Sequence, residues 1–149
     1  MKPIATFPVF AALLFAVSAV LLPAQSHAQS PAKKSERHRL VIQVSENDPA
    51  IWNLALNNAE NVPQLLGKDK VDVEIVVYGP GMNMLKRESK VAARLSAALD
   101  HSVELLACEV TMGKMKLTKA DLASGTKVVP GGVVHIMQRQ NEGWNYIKP

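Results

Sequence analysis

The sequence predicts an α/β fold, a three-layer α/β/α domain around a mainly parallel sheet of about five strands. Three observations predict it. Short runs rich in β-branched residues, such as Leu40–Val44, Val71–Tyr78 and Val103–Cys108, recur along the chain. Between them lie segments whose apolar residues return every three or four positions, the one-sided period of a helix. Glycine-rich turns, Gly79-Pro80-Gly81 and Pro130-Gly131-Gly132, mark changes from the first period to the second. A strand–helix–strand succession makes consecutive strands parallel, with right-handed crossovers. Strand order does not follow from periodicity.

The elements read in order as follows. Leu40–Val44 is a buried strand. Asp48 caps a helix with Pro49 at its first position, and Gly67 ends it. Trp52, Ala55, Leu56, Ala59, Val62 and Leu66 form its buried face, and Pro63 is expected to kink or break it. Val71–Tyr78 is a central strand stopped by Gly79-Pro80-Gly81, and Met82–Arg87 is a short helical turn. A second helix follows Glu88-Ser89, with Val91, Ala92, Leu95, Ala98 and Leu99 inward. Val103–Cys108 is the third strand, Thr111–Met115 a short helix, and Thr118–Asp121 a helix start with a weak capping box. Thr126–Val129 is a fourth strand. The last helix carries Val133, Ile136, Met137 and Gln140 inward and ends at Gly143, and Trp144–Lys148 is a final strand.

The N-terminus has its own logic. Lys2 is a positive start, Val9–Leu22 is uncharged and apolar, Pro23 breaks it, and Ser26-His27-Ala28 places small residues where a signal peptidase reads. The apolar run is shorter than the roughly 20 residues a membrane span needs. Residues 1–28 therefore read as a cleavable signal, residues 29–38 as a flexible linker, and residues 39–149 as one folded domain. The expected location is periplasmic or secreted, with no membrane attachment after cleavage.

The chain carries a formal net charge of +4, and cleavage would remove Lys2 and no acid. The basic residues are spread out, apart from Lys33, Lys34, Arg37 and Arg39 in the leader, and aromatic residues do not interleave with them. Nucleic-acid binding is not indicated. Cys108 is the one cysteine, so no internal disulfide can form.

Parallel sheets bind ligands at the carboxyl ends of their strands. Ser45 and Asn47, then Gly79, Gly81 and Asn83, then Cys108 and Thr111, then Gly131 in the turn Pro130-Gly131-Gly132 should gather there. The glycines admit close backbone approach, but turns of this kind need them in any case. Two readings stand at Cys108. It is a small buried hydrophobe, or it is a thiol activated by the helix that starts just after it. The adjacent Glu109 would oppose activation if it pointed the same way. His38, His101 and His135 have no metal-ligand spacing, so no metal or cofactor is expected. No nucleophile elbow is visible, which leaves hydrolase chemistry without support.

The stretches Leu40–Ser45, Trp52-x-x-Ala55-Leu56-x-Asn58, Val73–Gly81, Leu106-Ala107-Cys108-x-x-Thr111-Met112 and Gly132–Ile147 together resemble the DsrE/DsrF-like family over residues 39–148. The resemblance implies a compact α/β/α domain and a homo-oligomer, often a trimer or hexamer. It also implies a cysteine that carries sulfur as a persulfide between partner proteins, with Cys108 in that role. The family's understood carriers are cytoplasmic, whereas an export signal would remove transfer-RNA thiolation and cytoplasmic relay partners from reach. Three functions follow as expectations. One is a sulfur carrier with a donor or acceptor protein, at most sulfurtransferase-like. The second is a non-catalytic small-ligand or protein-binding module in which Cys108 is packing. The third is a redox sensor acting through an intermolecular disulfide.

Overall fold

A computed structural model describes residues 37–149; the signal segment and residues 29–36 of the linker lie outside the described residues. The elements are β1 (His38–Val44), α1 (Pro49–Leu66), β2 (Val71–Val77), α2 (Ala92–Asp100), β3 (Val103–Cys108), α3 (Glu109–Met115), β4 (Lys127–Val129), α4 (Gly132–Asn141) and β5 (Asn145–Ile147). All five strands are parallel, in the order β4-β3-β2-β1-β5. The chain thus steps one way from β1 to β4 and then crosses back to β5 at the opposite edge. With right-handed crossovers, this reversal sends α4 to the face opposite α1 and α2. The packing agrees. Leu40, Ile42, Val44, Ile75 and Leu105 meet the apolar residues of α1 and α2 in one large core, whereas Val41, Val76 and Leu106 meet Ile136 of α4 in a smaller one.

The register explains the large core. Ile42, Ile75 and Leu105 lie side by side across the three central strands, and all are fully buried. Removing such a side chain from water contributes about 1.5–3 kcal/mol. Asp48 caps α1 by accepting a hydrogen bond from the Ala50 N–H at 2.8 Å. Arg94 of α2 donates to Asn53 and Asn57 Oδ1 of α1, 2.8 Å each, so the two helices are tied by polar contacts above the core.

Several expectations need correction. Pro63 does not end α1, which runs on to Leu66, and Pro63 itself is buried on the inward face while Leu66 is exposed. The helical turn after β2 is a 3-10 segment at Gly79–Leu85, and the capped start at Thr118 yields only a 3-10 turn, Lys119–Asp121. Glu109, not Thr111, begins α3. The last helix is rotated from its expected face: Gly132 and Ile136 are buried, whereas Val133 is 53 % and Met137 58 % exposed, and Gln140 is exposed too. The reason is polar. Glu74, on the small-core face of β2 and only 3 % exposed, accepts from Arg139 Nε (3.0 Å) and Nη2 (2.6 Å) and pairs with His135 Nε2 at 2.7 Å. Those partners must face the sheet, which turns the valines outward. Hydrogen bonding to Glu74, opposed by burial, holds the Arg139 guanidinium above the usual arginine range.

Gly81 lies beneath the end of β1. Its N–H donates to the Ser45 carbonyl at 2.9 Å, and a Cβ there would stand 2.7 Å from the Val44 carbonyl oxygen. The opposing atoms are backbone and cannot swing away. Gly81→Ala is expected to cost about 1–3 kcal/mol, read as a lower urea midpoint with an unchanged denaturant slope.

Candidate functional site

Cys108 is the last residue of β3 and immediately precedes α3. Along β3, Glu104 and Leu106 alternate onto the face that α4 covers, whereas Cys108, at the strand end, belongs to the large core with Ala107 and Met112 and still meets Gly132 of α4 through its Cβ. The connections from β3 and β4 part here. The first leads to α3, whose Met112 joins the large core, and the second to α4 on the other face. Adjacent strands whose connections leave to opposite faces form the switch point where parallel sheets place ligands.

Four donors stand near the sulfur. Burial pushes the thiol up, but the Gly132 N–H, the Thr111 N–H and hydroxyl, and the Val110 N–H together carry it below the ordinary thiol range. Val110 and Thr111 belong to the first turn of α3, and Gly132 is the first residue of α4. The starts of both helices therefore lie at one sulfur, the field that favours thiolate. Thr111 does two things. Its Oγ1 accepts the Gly79 N–H at 3.0 Å, which leaves its proton for the sulfur.

Gly132 is needed for the close approach. A Cβ on it would lie 3.1 Å from Tyr78 Cδ1 and 3.3 Å from Cys108 Cβ. Cys108 itself is buried, at 5 % exposure. Val110, Val133, Val134 and Met137 are exposed on the helices that start around it. Glu109 is exposed as well.

The residues expected at the carboxyl edge divide into groups. Gly79 and Thr111 join Cys108 through the contact just described. Gly131 precedes α4, where its carbonyl accepts the His135 N–H at 2.9 Å, and the contact with Cys108 falls to its neighbour Gly132. Ser45 hydrogen-bonds Glu46 through its hydroxyl and N–H and receives Gly81 on its carbonyl. Asn47 and Asn83 line a separate cleft of about 670 Å³ with Trp52, Lys86, Arg87 and Lys90, and this cleft includes none of Cys108, Thr111, Gly79 and Gly131. His38 opens β1 and His101 caps α2, both at the amino edge away from Cys108. Among the described residues no group of three or more His, Cys, Asp or Glu is arranged to hold a metal ion. Sequence reasoning brought Gly132 to this edge together with Gly131 but singled out only Gly131, and it missed Val110 and Tyr78. The Gly131-Gly132 doublet was the available signal, since only its second residue is inside the helix.

Thr111→Val removes the hydroxyl proton from the thiolate and the acceptor from Gly79. The Cys108 titration midpoint is expected to move upward in pH-dependent alkylation, and the unpaired Gly79 N–H should cost about 1–3 kcal/mol in urea unfolding.

Three comparisons bear on this geometry. The model of the DsrE/DsrF-like family matches residues 38–149. A search of curated proteins finds no match. Among solved structures, a protein of unknown function from Methanobacterium thermoautotrophicum, MTH1491, is 35 % identical, with a TM-score of 0.72 over 75 % of this chain and 99 % of its own. A conserved protein of unknown function from Bacteroides thetaiotaomicron, BT1422, is 12 % identical, with a TM-score of 0.62 over 74 % of this chain and 94 % of its own. The ychN protein of E. coli is also 12 % identical, with a TM-score of 0.61 over 76 % of this chain and 99 % of its own. The last two share the fold. With a family match across nearly all of the described residues and a relative at 35 % identity, the chain belongs to the DsrE/DsrF-like family.

Proposed function

We propose that this chain is an exported sulfur carrier that holds sulfur as a persulfide on Cys108. The observation that carries the reading is the place of Cys108 at the sheet's switch point, where α3 begins at the next residue and Gly132, the start of α4, lies against the Cys108 Cβ. Donors that stabilise a thiolate also stabilise the terminal anion of a persulfide, whose charge lies one bond further out. The leader's charge, apolar run and small-residue cut site support export. The exposed apolar residues of α4 support self-association and contact with a sulfur-donor or acceptor protein, and the family resemblance suggests a trimer or hexamer.

The chemistry is a displacement at sulfur. The Cys108 thiolate attacks the outer sulfur of a donor such as thiosulfate, and its electron pair forms the new S–S bond. The donor's own S–S bond breaks and its pair leaves on sulfite. Cys108 then bears an outer sulfur with one negative charge. Delivery reverses the logic: an acceptor nucleophile takes the outer sulfur and the Cys108 thiolate departs. Neither step needs an external oxidant or reductant.

A second reading has its own support. Cys108 is almost fully buried, and a small buried thiol in a binding or assembly module would look the same in packing terms. Intact-protein mass spectrometry separates the two. Incubation with thiosulfate or polysulfide is expected to add one sulfur atom that dithiothreitol removes, with no gain in Cys108→Ser. Absence of the adduct with both donors would overturn the carrier and leave the module.

A further inference from the structure

Among the described residues the small-core face of the sheet is covered by one helix, and that helix has little apolar surface to offer it. Only Gly132 and Ile136 of α4 are buried, while Val133, Val134 and Met137 point outward. Its remaining inward residues are His135 and Arg139, one turn apart on the same stripe, and both end on Glu74. Arg139 is braced from behind: Nη1 donates to Glu142 at 2.8 Å, and the guanidinium lies over the Trp144 ring at 4.8 Å. The carboxylate of β2 therefore fixes where α4 sits along and across the sheet.

That position is felt at Cys108. Gly132 is one turn before His135 on the same helix face, about 4.5 Å along the axis. The gap between Gly132 and the Cys108–Tyr78 pair has no slack, since even a Cβ there would meet atoms at 3.1–3.3 Å. A helix is stiff over this length, so a shift at His135 and Arg139 becomes a shift of the Gly132 N–H.

We infer that Glu74 is a positioning residue for Cys108: by holding α4 through His135 and Arg139 it sets the Gly132 backbone against the sulfur. The inference rests on the sulfur-carrier reading. Glu74 touches neither the thiol nor a sulfur donor. On the face shared with α4, Glu74 is level with Glu104 of β3, and Cys108 lies further along that strand past Leu106.

The sign of one measurement tests it. If Glu74 acted only by its charge, removing that charge would lower the Cys108 titration midpoint, because a nearby anion is lost. If it acts by placement, Glu74→Gln raises the midpoint, because the Gly132 N–H is no longer held on the thiolate. The expected rise, followed by ultraviolet thiolate absorbance on the full chain, is about half a unit to one unit. That corresponds to an about 3- to 10-fold smaller thiolate fraction at neutral pH. Asp48→Ala, which weakens the distant cap of α1, should leave the midpoint unchanged while lowering stability, and so controls for general loosening. Arg139→Lys keeps the charge but loses the two-pronged contact; it should raise the midpoint too, and it serves if Glu74→Gln does not fold. An unchanged or lowered midpoint in a folded clamp variant, or a rise in Asp48→Ala equal to theirs, overturns the inference while the wild type still takes up sulfur. A wild-type thiol that titrates at the ordinary value and takes up no sulfur overturns both this inference and the carrier reading.

Discussion

A buried carboxylate decides how this domain closes. Glu74 sits in the middle of β2, on the face that, among the described residues, α4 alone covers, and has almost no contact with solvent. An isolated carboxylate there would cost several kcal/mol. Both of its oxygens are instead engaged by Arg139, with His135 sharing one of them. Such a group is poor evidence of added stability, because a well-packed apolar substitute often does as well. It is stronger evidence of specificity. Breaking the pair from one side strands a charge and costs about 3–5 kcal/mol, so α4 has one orientation in which Glu74 is satisfied and no cheap alternative. The outward turn of Val133, Val134 and Met137 follows from that constraint rather than from their hydrophobicity.

The chain path supplies the second constraint. Three crossovers in one direction bury α1, α2 and the Met112 side of α3 against one face, and a single crossover back delivers α4 to the other. The parting of these paths at the ends of β3 and β4 brings two helix starts together at Cys108. Neither helix is special alone. The α3 start supplies the N–H groups of Val110 and Thr111, and α4 supplies Gly132. The site is thus a product of topology: any strand order that kept α4 on the same face as α1 would remove one donor and the contact with Tyr78.

Much of the fold was legible because its signals are local. The β-branched runs, the Asp48-Pro49 cap and the glycine turns each specify backbone within a few residues, and the elements they predict are present. The errors share a cause. Glu74 stands inside a run that reads as a central strand, and that reading does not say what would satisfy a carboxylate there. Its partners lie 61 and 65 residues away, and nothing local reports them. With that pair unseen, Val133, Ile136 and Met137 were the natural inward stripe of the last helix, and His135 a surface residue. Pro63 misled in the opposite way. The local rule ends a helix at proline, but Pro63 is buried in the contact face, and Gly67 still bonds back to its carbonyl at 2.9 Å. Cys108 and Thr111 were found from sequence because both flank one strand end, whereas Gly132 acts across the sheet from a neighbouring crossover.

The acidity of Cys108 is a balance between its burial and the groups around it. Burial alone would make the thiol less acidic and inert, which is the usual fate of a lone core cysteine. Here burial is the largest single influence, and it is outweighed only by the sum of the donors. The same burial that raises the cost of the anion also strengthens each hydrogen bond to it, since the surrounding medium screens less. A site of this kind is sensitive to displacement because no one donor carries it. Losing a single N–H by a few tenths of an ångström leaves the desolvation cost intact and removes part of the compensation. The helix that brings Gly132 is held mainly by Ile136 and by the ion pair below it. The acidity of Cys108 is therefore tied to a carboxylate on the neighbouring strand that never touches it.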